Sequence, residues 1–82
     1  MAPWLEEALG EMDRSGFGSE AEQIRVAMHT LSLSALEITG EIGVAILRVL
    51  ANVGPLLPRP ARRNLKRSLR EIRRAWPGLG QE

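Results

Sequence analysis

Apolar residues in the middle of the chain recur at steps of four and three residues, which is the repeat of a coiled-coil helix. This repeat predicts a helix over residues 19–53, stopped by Gly54 and Pro55. Unbroken, it would be about 50 Å long at ~1.5 Å per residue, longer than the rest of the chain can cover. We therefore expect a second chain to cover the apolar seam, which makes the dimer interface: Ile24, Met28, Leu31, Ala35, Ile38, Ile42, Ala45 and Val49.

A shorter helix is predicted before the long one. Pro3 suits a first helical turn, and apolar residues from Leu5 to Met12 follow at helical steps. We expect this helix over residues 3–13 and a glycine-containing loop over 14–18, in which Phe17 packs against the core. The long helix then begins at a capping box that runs from Ser19 to Glu22.

A third helix is predicted after a proline-rich connector at 54–60, in which Leu56 and Leu57 are expected to pack on the core. This helix covers residues 61–76 and leaves a short tail at 77–82. Its apolar stripe has steps of four, three and four residues, and arginine and lysine occupy most of its other positions. The stripe consists of Leu65, Leu69, Ile72 and Trp76.

Two glycines interrupt the most regular part of the long helix. Gly40 and Gly43 each cost roughly 1 kcal/mol in a helix interior relative to alanine. Either they allow another backbone to approach closely or they mark a kink, and the sequence leaves both alternatives open.

These elements make an all-α fold of one domain in 82 residues. The order is a short helix, a long amphipathic helix and a short basic helix. We expect the long helices to associate as a helical-bundle or coiled-coil-like homodimer, because a single core in so short a chain is only marginally stabilising.

Charge is distributed unevenly along the chain. Residues 1–47 contain eight acidic and two basic residues, whereas residues 48–82 contain nine basic and two acidic ones. The basic helix predicts a non-enzymatic protein that binds nucleic acid, DNA or RNA, through phosphate contacts. The candidate nucleic-acid-binding residues are Arg62, Arg63, Lys66, Arg67, Arg70, Arg73 and Arg74.

Three alternatives to nucleic-acid binding stay open for this charge pattern. The basic helix could pair with Glu6, Glu7 and Glu11 of the first helix, as a purely structural contact. The chain could be an adaptor or inhibitor that offers the apolar faces of its long helix to a protein partner. It could also lie on an anionic membrane surface as a peripheral binder.

Residue types needed for catalysis are scarce. His29 is the one histidine, there is no cysteine or tyrosine, and no acidic partner or oxyanion loop accompanies His29. We expect no catalytic residue, no metal site and no cofactor. Glu37, Glu41 and Arg48 interrupt the longest apolar stretch, and no signal-peptide pattern opens the chain. A cytoplasmic or nuclear protein is therefore expected, neither secreted nor transmembrane.

Overall fold

The computed structural model describes residues 3–29 and 35–76. This part of the chain contains four α-helices and no strand, which confirms the all-helical class. A single 3₁₀ turn, Gly54–Leu56, follows the third helix. The helices are α1 at Pro3–Arg14, α2 at Gly18–Met28, α3 at Ala35–Val53 and α4 at Arg59–Ala75.

The prediction of one long helix over residues 19–53 is wrong, because α2 ends at Met28 and α3 begins at Ala35. The two helices pack against each other, which consecutive parts of one straight helix cannot do. The longest dimension of the molecule is 31 Å, well short of the length that a continuous helix needs. The chain therefore reverses direction between α2 and α3.

The sequence offers a local reason for this division. His29 caps α2 with non-helical backbone angles, and its N–H donates to the carbonyls of Arg25 and Val26. Thr30, Ser32 and Ser34 follow in the sequence, and such hydroxyl side chains compete for backbone hydrogen bonds that a helix would use. The heptad spacing of the apolar residues carries no information about this competition for backbone hydrogen bonds.

Each helix contributes an apolar face to one core. α1 packs against α4 and α2, while α3 packs against α2 and α4, so the four helices enclose the core side by side. The largest fully buried apolar side chains come from all four helices: Leu5, Met12, Ile24, Ile46, Val49, Leu65 and Ile72.

Half of the predicted dimer seam lies inside this core. Ile24, Ile42, Ala45 and Val49 are buried within a single chain, so no surface is left on them for a second one. These four residues therefore belong to the core of one chain. Met28 is partly buried against the same core, whereas Leu31 and the side chains of Ala35 and Ile38 lie outside the described part of the chain. Dimerisation itself stays a prediction.

A glycine turn joins α1 to α2. Gly16 has a φ of +88°, in the left-handed region that glycine adopts at little cost. The Phe17 N–H donates to the Met12 carbonyl at 2.8 Å, as in the glycine-terminated ends of many helices. Phe17 packs against the core, as predicted. The capping box at Ser19 is not formed, since α2 begins at Gly18 and no side chain caps it.

An ion pair also joins the first two helices. Asp13, near the end of α1, accepts hydrogen bonds from Arg25 of α2 at 2.5 and 3.1 Å. The hydrogen bonds from the Arg25 guanidinium lower the pKa of Asp13 below its ordinary value, and the Asp13 carboxylate raises the pKa of Arg25. Both groups are well exposed to solvent, so salt screens the pair.

We expect Asp13→Asn to lower the melting temperature slightly at neutral pH. A carboxyl whose pKa is lowered on folding stabilises the native state above its unfolded pKa, and that contribution is lost as pH falls through the lowered pKa. Thermal melts should therefore show the gap between variant and parent closing at strongly acid pH. Glu7→Gln, which alters an exposed carboxylate on α1, is the control. A gap that persists in acid would contradict this account.

The connector between α3 and α4 is shorter than predicted. After the 3₁₀ turn, Leu57 and Pro58 have extended backbone angles, and α4 begins at Arg59. Leu57 is buried, as predicted. The same prediction for Leu56 is wrong, since 71% of its surface is exposed.

Gly40 lies beneath an aromatic ring. α3 is continuous through both of its inner glycines, so no helix break occurs there. A Cβ atom built on Gly40 would lie 3.1 Å from Cε2 of Trp76, the residue that caps the end of α4. Gly43 is buried. At Gly40 a close approach is found, but the approaching group is a side chain and not the predicted backbone.

Candidate nucleic-acid interface

The position of α4 is determined by its apolar face. Leu65, Leu69 and Ile72 are buried, which confirms three members of the predicted stripe, and the fourth, Trp76, covers Gly40. Ser68 is also fully buried, and its hydroxyl donates to the Asn64 carbonyl at 2.9 Å. Ser68 can lie on this apolar face because its side chain is small and its hydroxyl is hydrogen-bonded. The opposite side of α4 therefore faces solvent.

Every basic residue of α4 lies on that opposite side. With ~100° between successive residues, the eight basic residues fall within an arc of about 140° that contains no acidic residue. The arc is about 22 Å long at ~1.5 Å per residue. We call these eight residues the basic face: Arg59, Arg62, Arg63, Lys66, Arg67, Arg70, Arg73 and Arg74.

The structure adds one residue to the predicted set. The sequence pattern places Arg59 in the connector, but it is the first residue of α4 and belongs to the basic face. Together with Arg62, Arg63 and Lys66 it lines a surface depression of about 250 Å³. Arg62 is half-buried there, and the other seven members of the basic face are exposed. In the sequence, the start of this helix is inferred from Pro60, so Arg59 is assigned to the connector and not to the basic helix.

Acidic side chains of α1 line a groove beside α4. A groove of about 550 Å³ between the two helices is lined on the α4 side by Pro60 and Asn64, which are uncharged. The α1 side of the groove contributes Gly10 and four charged residues, of which Glu11 pairs with Arg14 of its own helix at 2.7 Å. The charged residues are Glu6, Glu7, Glu11 and Arg14. In this groove the acidic side chains of α1 lie next to uncharged residues of α4.

Concentrating so many cations on one helix is unfavourable for folding. Like charges three or four residues apart destabilise a helix by roughly 0.2 to 0.5 kcal/mol per pair. Arg74 contacts Glu71 at 3.5 Å, but both side chains are exposed, and such pairs contribute little. The buried stripe offsets the repulsion and keeps the cations in place.

No catalytic centre is visible in the described residues. His29 is exposed at the end of α2. Within residues 3–29 and 35–76, no group of three or more histidine, aspartate or glutamate side chains is placed to hold a metal ion. The chemistry that this surface supports is the electrostatic binding of anions.

One stretch, Thr39–Leu56, is long and apolar enough to cross a membrane by length and composition. A single stretch of this kind is weak evidence, because core helices pass the same test, although only 28% of this stretch is buried. Ile42, Ile46 and Val49 of this stretch face the core. A transmembrane protein is therefore not indicated.

Comparison with known proteins finds no match among family models, curated proteins or solved structures.

Proposed function

We propose that this protein is a non-enzymatic nucleic-acid-binding protein that contacts phosphates through the basic face. The observation that carries the proposal is the arrangement of eight cations along one exposed arc, with no acid among them. Such an arrangement costs folding stability, and a polyanion that neutralises the arc would offset the cost.

The dimensions of the basic face suit a duplex. Double-stranded DNA carries one negative charge per ~1.7 Å of its axis, so an arc of about 22 Å meets many phosphates. Arginine and lysine on this arc can reach backbone phosphates, whereas Asn64, the one amide side chain of α4, lies outside the arc beside α1. We therefore expect phosphate contacts to dominate and sequence specificity to be low.

This proposal does not depend on a dimer. All eight cations belong to one helix of one chain. A homodimer would place two basic faces at a defined separation and would strengthen binding by bivalency, but each face is complete by itself.

Lys66 and Arg70 are exposed near the middle of the basic face, which makes them suitable for testing the proposal. We expect the double variant Lys66→Ala, Arg70→Ala to bind duplexes of unrelated sequence more weakly and by a similar factor. Because each phosphate contact contributes ~0.9 to the salt slope, the slope of log K against log salt should fall by about 2. Fluorescence anisotropy titrations across salt, with duplex DNA and duplex RNA, measure both quantities.

Arg48→Ala is the matched control, because Arg48 is an exposed arginine on α3 outside the basic face. It should leave duplex affinity nearly unchanged. If the parent protein binds neither duplex at low salt, or if Arg48→Ala weakens binding as much as the double variant does, then the basic face is not the nucleic-acid interface.

A further inference from the structure

α3 carries more apolar residues than the core of one chain buries. Only 28% of the stretch Thr39–Leu56 is buried. Val44, Leu47 and Ala51 follow one another at steps of three and four residues, so they share a face of the helix. Val44 and Leu47 are half-buried and Ala51 is exposed. With Leu56 of the 3₁₀ turn, which is 71% exposed, these three residues form what we call the apolar strip.

Pro55, which precedes Leu56 of the apolar strip in the sequence, lies beside two cations of the basic face. A depression of about 220 Å³ at the α3–α4 corner is lined by Leu50, Gly54 and Pro55 together with Arg62 and Lys66. Aliphatic and cationic side chains therefore lie side by side at this corner, next to Leu56 in the sequence.

The charge next to the strip decides between possible occupants. In a two-fold contact between copies of this chain, the same patch meets itself, and the arginine and lysine side chains of both copies would be brought together. A phosphate backbone would satisfy the cations, but it offers no apolar partner to Leu56. An anionic bilayer surface supplies lipid phosphates for the cations and acyl chains for the aliphatic side chains.

We infer that the apolar strip and the adjoining cations Arg59, Arg62 and Lys66 dock this protein onto anionic lipid bilayers. Leu56 enters the boundary between headgroups and acyl chains, while the three cations contact lipid phosphates. Leu65, Leu69 and Ile72 stay in the core, so α4 lies at the surface without entering the bilayer. Nucleic-acid binding uses the whole length of the basic face, including these three cations, whereas docking on a bilayer also requires the apolar strip.

The test uses the full chain and two kinds of vesicle, phosphatidylcholine alone and phosphatidylcholine with phosphatidylserine in equal parts. We expect co-flotation with the anionic vesicles only. Leu56→Ser should weaken that partitioning by roughly tenfold, because it removes the most exposed aliphatic side chain from the contact. Val26→Ser is the matched control, since Val26 is also well exposed but lies on α2.

A second measurement locates the contact directly. The chain has no cysteine, so Leu56→Cys and Val26→Cys each carry one environment-sensitive fluorophore. Anionic vesicles should shift the emission of the label at position 56 to the blue and leave the label at position 26 unchanged.

Three outcomes would overturn the inference. The first is no binding of the parent protein to anionic vesicles. The second is binding that Leu56→Ser leaves unaltered, which would mean attraction by charge alone. The third is a concentration-dependent dimer that Leu56→Ser dissociates, which would assign the strip to a second copy. Duplex binding by Leu56→Ser is expected to match the parent, so a failure here and a failure of nucleic-acid binding are distinguishable.

Discussion

Replacing Ile46 with alanine is expected to lower the free energy of unfolding by about 2 to 5 kcal/mol. Ile46 is fully buried in the core, and truncating such a side chain loses its transfer free energy and leaves a cavity. Chemical denaturation followed by circular dichroism measures the change. The residue is informative because it does not belong to the heptad seam. A large effect would indicate that Ile46 is buried in the folded state, although the heptad pattern does not place it on the seam.

The matched control is Leu56→Ala, which removes a similar side chain from an exposed position on the same segment of chain. Its effect on the free energy of unfolding should stay within about 0.5 kcal/mol. Equal effects of the two substitutions would contradict the packing described here, as would an Ile46→Ala protein that is as stable as the parent.

Gly40→Leu should have opposite effects with and without Trp76. A Cβ at position 40 would already lie 3.1 to 3.4 Å from three atoms of the indole, and a leucine side chain adds more atoms in the same space. We expect a loss of about 1 to 3 kcal/mol from overpacking in the parent background. In a Trp76→Ala background the space is open, and leucine should stabilise α3 by up to about 1 kcal/mol through its higher helix propensity.

A double-mutant cycle with denaturant unfolding measures this coupling. Gly40→Ala is the milder companion, since the Trp76 ring is 36% exposed and can give by the few tenths of an ångström that one methyl group needs. If Gly40→Leu has the same effect with and without Trp76, the glycine has another role than accommodating the ring.

The sequence by itself determined the local features of this protein. Glycine and proline follow the last residues of α1 and α3, and the backbone angles and hydrogen bonds that they allow or prevent explain why these two helices end there. The basic face also follows from spacing, since helical periodicity separates the stripe of Leu65, Leu69 and Ile72 from the cations. Fold class and candidate surface were therefore accessible without the structure.

Only the tertiary structure decided which surfaces cover one another. The heptad pattern indicates that Ile24 and Ile42 are buried, but periodicity is the same whether another chain or another part of the same chain buries them. The direction in which the chain leaves each helix likewise decides that Leu56 is exposed while Leu57 is buried. It also decides that Trp76 lies over Gly40. That direction is determined by contacts between residues distant in sequence, because burying all four apolar faces in one core is more favourable than exposing a single long helix.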